Sequence, residues 1–341
     1  MSGRKDTRVG VARLPQLRAM LRPVLSRPLL AVFIIAVIVA SRVSPAFLSS
    51  RNLLNLLQQS SIVGIIAMGM TFVILGAGID LSVGSVAALS GMVVAILVTQ
   101  HVPTVIAIIL SLGVGAGLGL VMGSLAGFTG VPSFIITLAG LVSLRGVTYL
   151  LTDGSPVFGV PDDLRYLGAG FVGGGSGFVS QEGSIPVIGI IFIAVTVGAA
   201  VFLRMTRLGR YVYAAGGNAD AARLSGVPVA PVVAFTFLVS GMLAALGGVL
   251  QTAWLDVGQP TASQGAELTA IAAVVLGGTS LFGGKGGVFG TFVAVLLLQI
   301  VSNILNLAGV SPYFQQIVTG LVLIVTVLLN WFIARRGLPM A

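Results

Sequence analysis

The sequence contains no cysteine, and it has a single histidine, His101, among 341 residues. The absence of cysteine excludes disulfide bonds, thiolate chemistry and most zinc sites. His101 lies close to Pro103 in a segment expected to be a loop. Metal-dependent and histidine-dependent catalysis are therefore disfavoured.

Charged residues are also scarce: they make up 8% of the chain, against about 25% in a typical soluble domain. No formal charge occurs from Leu81 to Leu144 or from Gly286 to Ala334, and the mean hydropathy is +1.10. Such a chain is too apolar to fold in water, so a lipid bilayer is its expected solvent. Because the apolar runs lack the alternation of barrel strands, they are expected to be helices. The predicted fold class is all-α, a polytopic transmembrane helical bundle.

The net charge of +9 comes from basic residues at the ends and loops of the chain. The positive-inside rule places such residues on the cytoplasmic side of a membrane, so nucleic acid is not an expected partner. The first 27 residues are rich in arginine and continue into an apolar run without an A-x-A cleavage motif, unlike a signal peptide. We interpret residues 1–27 as a basic cytoplasmic tail.

A helix needs about 20 apolar residues to span a bilayer. Division of the chain at charges, prolines and turn clusters predicts about ten spans, with both termini in the cytoplasm. In this topology only Arg42, Arg51, Arg145 and Arg165 of the 18 basic residues lie outside. The predicted spans are 28–44, 54–77, 85–101, 104–127, 133–151, 185–203, 229–253, 267–282, 288–307 and 313–334.

The predicted transmembrane domain covers residues 28–334, and residues 335–341 form a cytoplasmic end. Two connections are long enough to act as docking surfaces, one on each side of the membrane. The external one, 152–184, is rich in glycine, and the cytoplasmic one, 204–228, is basic.

Two six-residue blocks resemble each other, V-I-L-G-A-G at 73–78 and V-V-L-G-G-T at 274–279. Each is followed by more glycine and serine and by another apolar run. Many transporters contain paired internal repeats with broken helices. The blocks therefore predict an internal repeat with interrupted or re-entrant helices.

Asp80 is the only carboxylate between Asp6 and Asp153, and it lies between two predicted spans. A carboxylate at membrane depth is costly, by about 3 kcal/mol or more, unless it is paired, hydrated or hydrogen-bonded. It is interpreted either as a pore or gate residue or as a cap for the first turn of the third helix, and the two roles are compatible. Possible donors nearby are Gly78, Ser82, Gly84 and Ser85.

Polar side chains also occur within the spans, and Glu267 opens the eighth, where the helix dipole favours a carboxylate. Such side chains either hydrogen-bond between helices or line an aqueous path. Packing is the simpler interpretation for each alone, but together they predict a polar lumen. The polar residues of the second and ninth spans are Gln58, Gln59, Ser60, Ser61, Gln299, Asn303 and Asn306. The candidates for a translocation path or gate are Gln58, Gln59, Asp80, Ser82, Glu267, Thr279, Ser280 and Asn303.

The cytoplasmic connection contains the signals of a short helix. Asn218 is suited to the N-cap, Asp220 to the first turn, Arg223 to the last turn and Gly226 to the C′ position. These positions predict a helix of about two turns between two spans. Its apolar residues need a partner, either another protein or the lipid surface; they are Ala221, Ala222 and Leu224.

Four blocks of the sequence give it a resemblance to a known family. It resembles the permease subunits of ATP-binding-cassette importers for monosaccharides, a group with relatives for branched-chain amino acids and nucleosides. The resemblance covers residues 28–334. The blocks are M-T-F-V-I-L-G-A-G-I-D-L-S-V-G-S (70–85), V-P-S-F-I-I-T-L-A-G-L-V-S-L-R-G (131–146), G-R-Y-V-Y-A-A-G-G-N-A-D-A-A-R-L-S-G-V (209–227) and E-L-T-A-I-A-A-V-V-L-G-G-T-S-L-F-G-G-K-G (267–286).

The resemblance implies a bacterial inner-membrane permease that works as a homodimer or with a similar permease. Its partners would be an ATPase subunit and a periplasmic sugar-binding protein. Residues 218–226 would be the coupling helix that docks on the ATPase, through Asn218, Asp220, Ala221, Arg223, Leu224, Ser225 and Gly226. The chain has no G-x-x-x-x-G-K-[ST] motif, so it is expected to hold no cofactor itself, with ATP and magnesium on the partner.

The predicted function is therefore inward movement of a monosaccharide by alternating access, without enzymatic activity in this chain. The alternatives are an ion-coupled secondary transporter and a related permease for nucleosides or branched-chain amino acids. A secondary transporter would need buried carboxylates within its spans, and only Asp80 lies near one. An intramembrane enzyme is disfavoured, because the chain has no catalytic constellation of histidine or cysteine residues.

Overall fold

A computed structural model of the protein describes residues 28–173, 178, 184–311, 313–315, 317–318, 320–321 and 324. The predicted tail 1–27, the end 335–341 and much of the predicted span 313–334 lie outside these residues. The helices are α1 (Pro28–Val43), α2 (Ser50–Leu75), α3 (Val83–Thr99), α4 (Thr104–Thr129), α5 (Ser133–Leu150), α6 (Asp162–Ala169), α7 (Val187–Met205), α8 (Arg207–Gly217), α9 (Ala219–Leu224), α10 (Val229–Leu255), α11 (Ala266–Leu276) and α12 (Val288–Leu307). The strands are β1 (Val157–Phe158), β2 (Phe171–Val172), β3 (Ile185–Pro186) and β4 (Val257–Gly258).

The predicted helical membrane bundle is confirmed. Within the described part of the chain, six helices are long and apolar enough to cross a membrane: α2, α4, α5, α7, α10 and α12. Three apolar helices, α1, α3 and α11, are shorter. Every residue described between 313 and 324 is helical. The count of ten spans stays a prediction.

Helix α10 forms the centre of the bundle and packs against α2, α3 and α4. Glycines spaced four apart on α4 make its contact with α10 possible, because small residues allow helix backbones to approach closely. A β-carbon at Gly119 would collide with the carbonyl oxygen of Phe237, and one at Gly115 would lie within 2.5 Å of that of Gly241. Packing therefore explains these α4 glycines.

The two six-residue blocks fold in the same way at the ends of α2 and α11. The amide of Gly78 donates to Val73 at 2.9 Å, and that of Thr279 donates to Val274 at 3.2 Å. In each block the preceding residue has a positive φ, 61° at Ala77 and 85° at Gly278. This is the Schellman pattern that ends a helix. It corrects the predicted eighth span, 267–282, because the helix stops at Leu276 and residues 277–287 form a turn.

Helices α3 and α11 both begin inside the bundle rather than at its surface. Asp80, just before α3, contacts Ser240, about 17 Å along α10 from its first residue. Gly84 in the first turn of α3 lies against the carboxylate of Glu267 in the first turn of α11. Two helix starts thus meet within the bundle, and the interrupted or re-entrant helices stay a prediction.

The two ends of the bundle differ in structure. The end that carries α8 and α9, here called the α9 end, contains the basic connection. The opposite end, the α6 end, carries α6 and two short antiparallel strand pairs, β1 with β4 and β2 with β3. The glycine-rich connection 152–184, predicted as a loop, therefore contains a helix and two strands, β1 and β2. Gly168 allows α6 to lie directly on the backbone of α10 near Trp254.

Candidate coupling site and polar interior

The predicted short helix is present as α9. The side chain of Asn218 accepts a hydrogen bond from the amide of Ala221 at 2.9 Å, as an N-cap does. Arg223 pairs with Asp220 at 3.2 Å, and Gly226 has the left-handed conformation expected of C′, with φ 82°. Local sequence signals alone were enough to predict this element.

One detail of the predicted helix is wrong. Ala222 was expected on its exposed apolar side, but it is buried against the core of the bundle. Six residues make fewer than two turns, so one side must face the protein to hold the helix in place. Leu224 points away from the bundle and is 91% exposed. It is therefore the largest apolar side chain that α9 offers to a partner.

Helix α8 was not predicted, although its sequence contains a signal for it. Thr206 caps it, accepting from the amide of Gly209 at 3.0 Å, and buried Val212 and Ala215 lie on one face. This apolar face packs on α7 and α10. Because α8 leads directly into α9, it fixes α9 to the bundle.

The end of α8 lies where three backbone segments meet, at Leu75–Ala77, Gly216–Gly217 and Gly283–Gly284. The amide of Gly284 donates to the carbonyl of Leu75 at 2.9 Å. A β-carbon at Gly216 would collide with that same carbonyl and lie 2.9 Å from the amide of Gly284. We call this contact the glycine junction; it connects α8 and α9 to the end of α2 and to the turn between α11 and α12.

Tyr213 adds a side-chain bond to the junction. Its hydroxyl donates to the carbonyl of Gly286 at 3.1 Å. Partial burial raises the pKa of the Tyr213 phenol, with Arg204 acting in the opposite direction, so the hydroxyl remains protonated at neutral pH. The bond therefore ties α8 to the turn 277–287 across the physiological range.

Thr279 and Ser280, assigned to the path or gate, lie in this turn. The Thr279 hydroxyl oxygen accepts from the amide of Gly287 at 3.3 Å, and that of Ser280 accepts from the amide of Phe282 at 3.2 Å. These bonds close the turn on itself. Both residues are thus placed at the α9 end of the bundle, where they hold the turn together.

Asp80 is buried in the middle of the bundle, with 1% exposure. One carboxylate oxygen accepts from the amide of Ser82 at 3.0 Å and from its hydroxyl at 2.6 Å. The other accepts from the hydroxyl of Ser240 on α10 at 2.9 Å. The prediction of a direct cap on the first turn of α3 is wrong in detail, because Ser82 occupies the N-cap and Asp80 binds Ser82 instead. Ser240 was not predicted as a partner.

The segment leading to Asp80 is held by α5. Its Ser133 hydroxyl oxygen accepts from the amide of Ile79 at 3.0 Å, and the Thr137 hydroxyl donates to the Ile79 carbonyl at 3.2 Å. Both hydroxyls form hydrogen bonds with backbone groups that would otherwise lack partners, because this stretch is not helical. The start of α3 is therefore positioned by α5 and α10 together.

Arg145 on α5 holds the connection between α10 and α11. Its guanidinium donates to the carbonyls of Pro260 at 2.8 Å and Ala262 at 2.9 Å. The carboxylate of Glu267 is close enough to attract it. Glu267 lies in the first turn of α11 as predicted. Arg145, predicted to lie on the external side, fixes the loop that enters the bundle ahead of α11.

The polar residues of α2 and α12 pair with each other. Gln299 donates to Gln59 at 2.7 Å, and Asn303 exchanges two amide bonds with Asn52 at 2.9 and 3.0 Å. Beside the glutamine pair is a cleft of about 140 Å³ between α2, α11, α12 and the segment beyond α12. Its polar lining residues are Ser60, Thr269, Gln299 and Ser302. Gln58, a predicted path residue, is buried on α2 and is not part of that lining.

The family model described as branched-chain amino acid transport system / permease component matches residues 52–327. The chain belongs to this permease family. The matched residues include the glycine junction, α9, and Asp80 with its partners Ser82 and Ser240. Membership identifies the chain as a membrane permease component and agrees with the absence of a P-loop from its sequence.

Three relatives of this permease match it along most of their length. The ribose import permease protein of Bacillus subtilis (strain 168) is 45% identical over 303 residues, 89% of this chain and 91% of the relative. The ribose import permease protein of Escherichia coli (strain K12) is 43% identical over 302 residues, which cover 88% of this chain and 92% of the relative. The D-allose transport system permease protein of Escherichia coli (strain K12) is 39% identical over 308 residues, 89% and 91%. No solved structure matches the chain.

Proposed function

We propose that this permease is the transmembrane subunit of an ATP-binding-cassette importer that moves a monosaccharide inward by alternating access. The observation that carries the proposal is the match, along nine-tenths of the chain, to permeases named for ribose import. A further relative is named for D-allose. These names favour a sugar over a nucleoside or a branched-chain amino acid.

The distribution of charge supports an orientation in the bacterial inner membrane. The α9 end carries Arg204, Arg207, Arg210 and Arg223, whereas Asp153, Asp162, Asp163 and Asp256 lie at the α6 end. By the positive-inside rule the α9 end is cytoplasmic. The proposal keeps about ten spans in residues 28–334, with the tail 1–27 and the end 335–341 in the cytoplasm.

Each end then has its own partner. The ATPase subunit, which holds ATP and magnesium, docks at α9 through Asn218, Asp220, Ala221, Arg223, Leu224, Ser225 and Gly226. A periplasmic sugar-binding protein delivers the substrate at the α6 end, and a second permease copy, identical or similar, completes the channel.

The translocation path is proposed to follow the interior polar groups. Gln59, Gln299 and the cleft beside them offer hydrogen-bonding groups for sugar hydroxyls. Asp80, Ser82 and Glu267 surround the two helix starts that meet inside the bundle, which is where transporters bind small polar substrates. The full set of proposed path or gate residues remains Gln58, Gln59, Asp80, Ser82, Glu267, Thr279, Ser280 and Asn303.

The alternative of an ion-coupled transporter depends on Asp80. A proton-coupled carboxylate has to gain and lose a proton during transport. The Asp80 carboxylate instead accepts three hydrogen bonds from Ser82 and Ser240, which hold both of its oxygens between the start of α3 and α10. This arrangement supports a structural role and favours ATP as the energy source.

Changes to α9 test the proposed docking. Arg223→Glu places a second acidic side chain beside Asp220, and Gly226→Leu puts a β-carbon where φ is 82°, at a cost of about 1–2 kcal/mol. Both variants should insert normally but lose at least tenfold in transport and in affinity for the ATPase. Co-purification and substrate-stimulated ATP hydrolysis measure the effect.

Arg207→Glu is the matched control for Arg223→Glu, because Arg207 is exposed at the same end of the bundle but outside α9. It should retain the ATPase within about twofold. If the α9 variants bind the ATPase and stimulate hydrolysis as the unmodified permease does, residues 218–226 are not the coupling element.

A further inference from the structure

The turn between α11 and α12 holds a large aromatic side chain in an exposed position. Phe282 is 82% exposed. Its backbone lies in a closed loop. The backbone amide of Ser280 donates to the carbonyl of Lys285 at 3.0 Å, and the amide of Gly283 donates to the carbonyl of Ser280 at 3.0 Å. The turn therefore presents Phe282 from a fixed backbone.

The exposure of Phe282 differs in kind from that of the apolar residues on the spans. Side chains such as Phe289, on the first turn of α12, are exposed on membrane helices, where lipid covers them. Phe282 lies between two helix ends, at the end of the bundle. A large apolar side chain exposed there is typical of a protein contact, and aromatic residues are common anchors of such contacts.

The turn also contacts the segment that leads into the coupling helix. Gly283 and Gly284 lie against Gly216 and Gly217 in the glycine junction, and α9 begins two residues later at Ala219. Leu224 and Phe282 are thus two large exposed apolar side chains on neighbouring segments of one end.

The charges around these two side chains have one predominant sign. The exposed basic residues that flank them are Arg223, next to Leu224, and Lys285, three residues after Phe282, and Asp220 is the acidic residue described there. A partner that covers Leu224 and Phe282 would therefore need apolar pockets with an acidic rim.

We propose that Phe282 is a second anchor for the ATPase subunit, bound in an apolar pocket beside the one that receives Leu224. This inference rests on the proposed function, because it takes the ATPase as the partner of α9. The ATPase would then contact the permease at two points, α9, which leads into α10, and the turn, which leads into α11 and α12. Through the Gly284–Leu75 bond the second point also reaches α2.

The test compares Phe282→Ala with Phe289→Ala, the same substitution seven residues away, and with Leu224→Ala. Each variant is purified in lipid nanodiscs, and its affinity for the separately purified ATPase subunit is measured together with thermal stability. Phe282→Ala should weaken the ATPase about tenfold or more. Phe289→Ala should stay within twofold, and the thermal stability of Phe282→Ala should be unchanged.

The outcomes separate the inference from the proposed function. If Leu224→Ala weakens the ATPase and Phe282→Ala does not, the coupling helix stands and the second anchor is rejected. If neither variant weakens it, the proposed docking at α9 fails as well. If Phe282→Ala lowers thermal stability in lipid without changing the affinity, Phe282 is a membrane-interface anchor and the inference is overturned.

Discussion

Gly216→Ala is expected to lower ATP-driven transport at least tenfold. At this position a β-carbon would collide with the carbonyl oxygen of Leu75 and crowd the amide of Gly284. Both atoms belong to the hydrogen bond that joins α2 to the turn between α11 and α12. Relieving such an overlap means moving one of the backbones, at a cost of about 1–3 kcal/mol, so motion from α9 would no longer pass to α2.

Gly217→Ala is the control, since a β-carbon there would meet only the α-carbon of Gly284, at an ordinary 3.9 Å. Both glycines belong to α8, and alanine raises helix propensity at either position, so propensity does not separate the two variants. Uptake and substrate-stimulated ATP hydrolysis are measured on each. Normal coupling in Gly216→Ala would mean that the three segments need not touch during transport.

Asp80→Leu is expected to abolish transport, whereas Asp80→Asn should stay within about fivefold of the unmodified permease. Leucine leaves the buried amide and hydroxyl of Ser82 and the hydroxyl of Ser240 without their acceptor, at about 1–3 kcal/mol for each unsatisfied group. Asparagine keeps one acceptor oxygen for Ser82, and its amide can donate to Ser240.

Ser240→Ala serves as the companion variant for Asp80. It removes one hydrogen bond and keeps the carboxylate, so its loss should be smaller than that of Asp80→Leu. Uptake by cells that express each variant at equal membrane level is the measurement. If Asp80→Asn were as inactive as Asp80→Leu, the carboxylate would act by taking up a proton rather than by accepting bonds.

Local signals were sufficient where neighbours in the sequence determine the structure. Asn218, Asp220 and Gly226 predicted α9 because capping depends on residues within one or two turns. The blocks at 73–78 and 274–279 end two helices by the same hydrogen bonds, although the eighth span was predicted to continue to residue 282. Helix α8 was not predicted from the sequence. Its apolar face covers only the short stretch from Val212 to Gly216, and its glycines lower helix propensity.

Long-range partners could not be predicted from one sequence. Ser240 lies 160 residues from Asp80, and nothing in its apolar surroundings on α10 indicates the contact. Arg145 was placed on the external side by the predicted spans, but its bonds to the carbonyls of Pro260 and Ala262, 115 and 117 residues away, were not predicted. The glycine junction is formed by three segments that are far apart in the sequence. The need for glycine at Gly216 therefore follows only from the three-dimensional arrangement of their backbones.

We propose that this permease imports a sugar with energy from ATP. The most direct test of this proposal is ribose uptake by liposomes that contain the permease and its ATPase subunit, with the sugar-binding protein added outside. Uptake is expected to require ATP and magnesium on the ATPase side and to persist when a protonophore and a sodium ionophore remove ion gradients. Uptake without ATP that is driven by a proton or sodium gradient would contradict it.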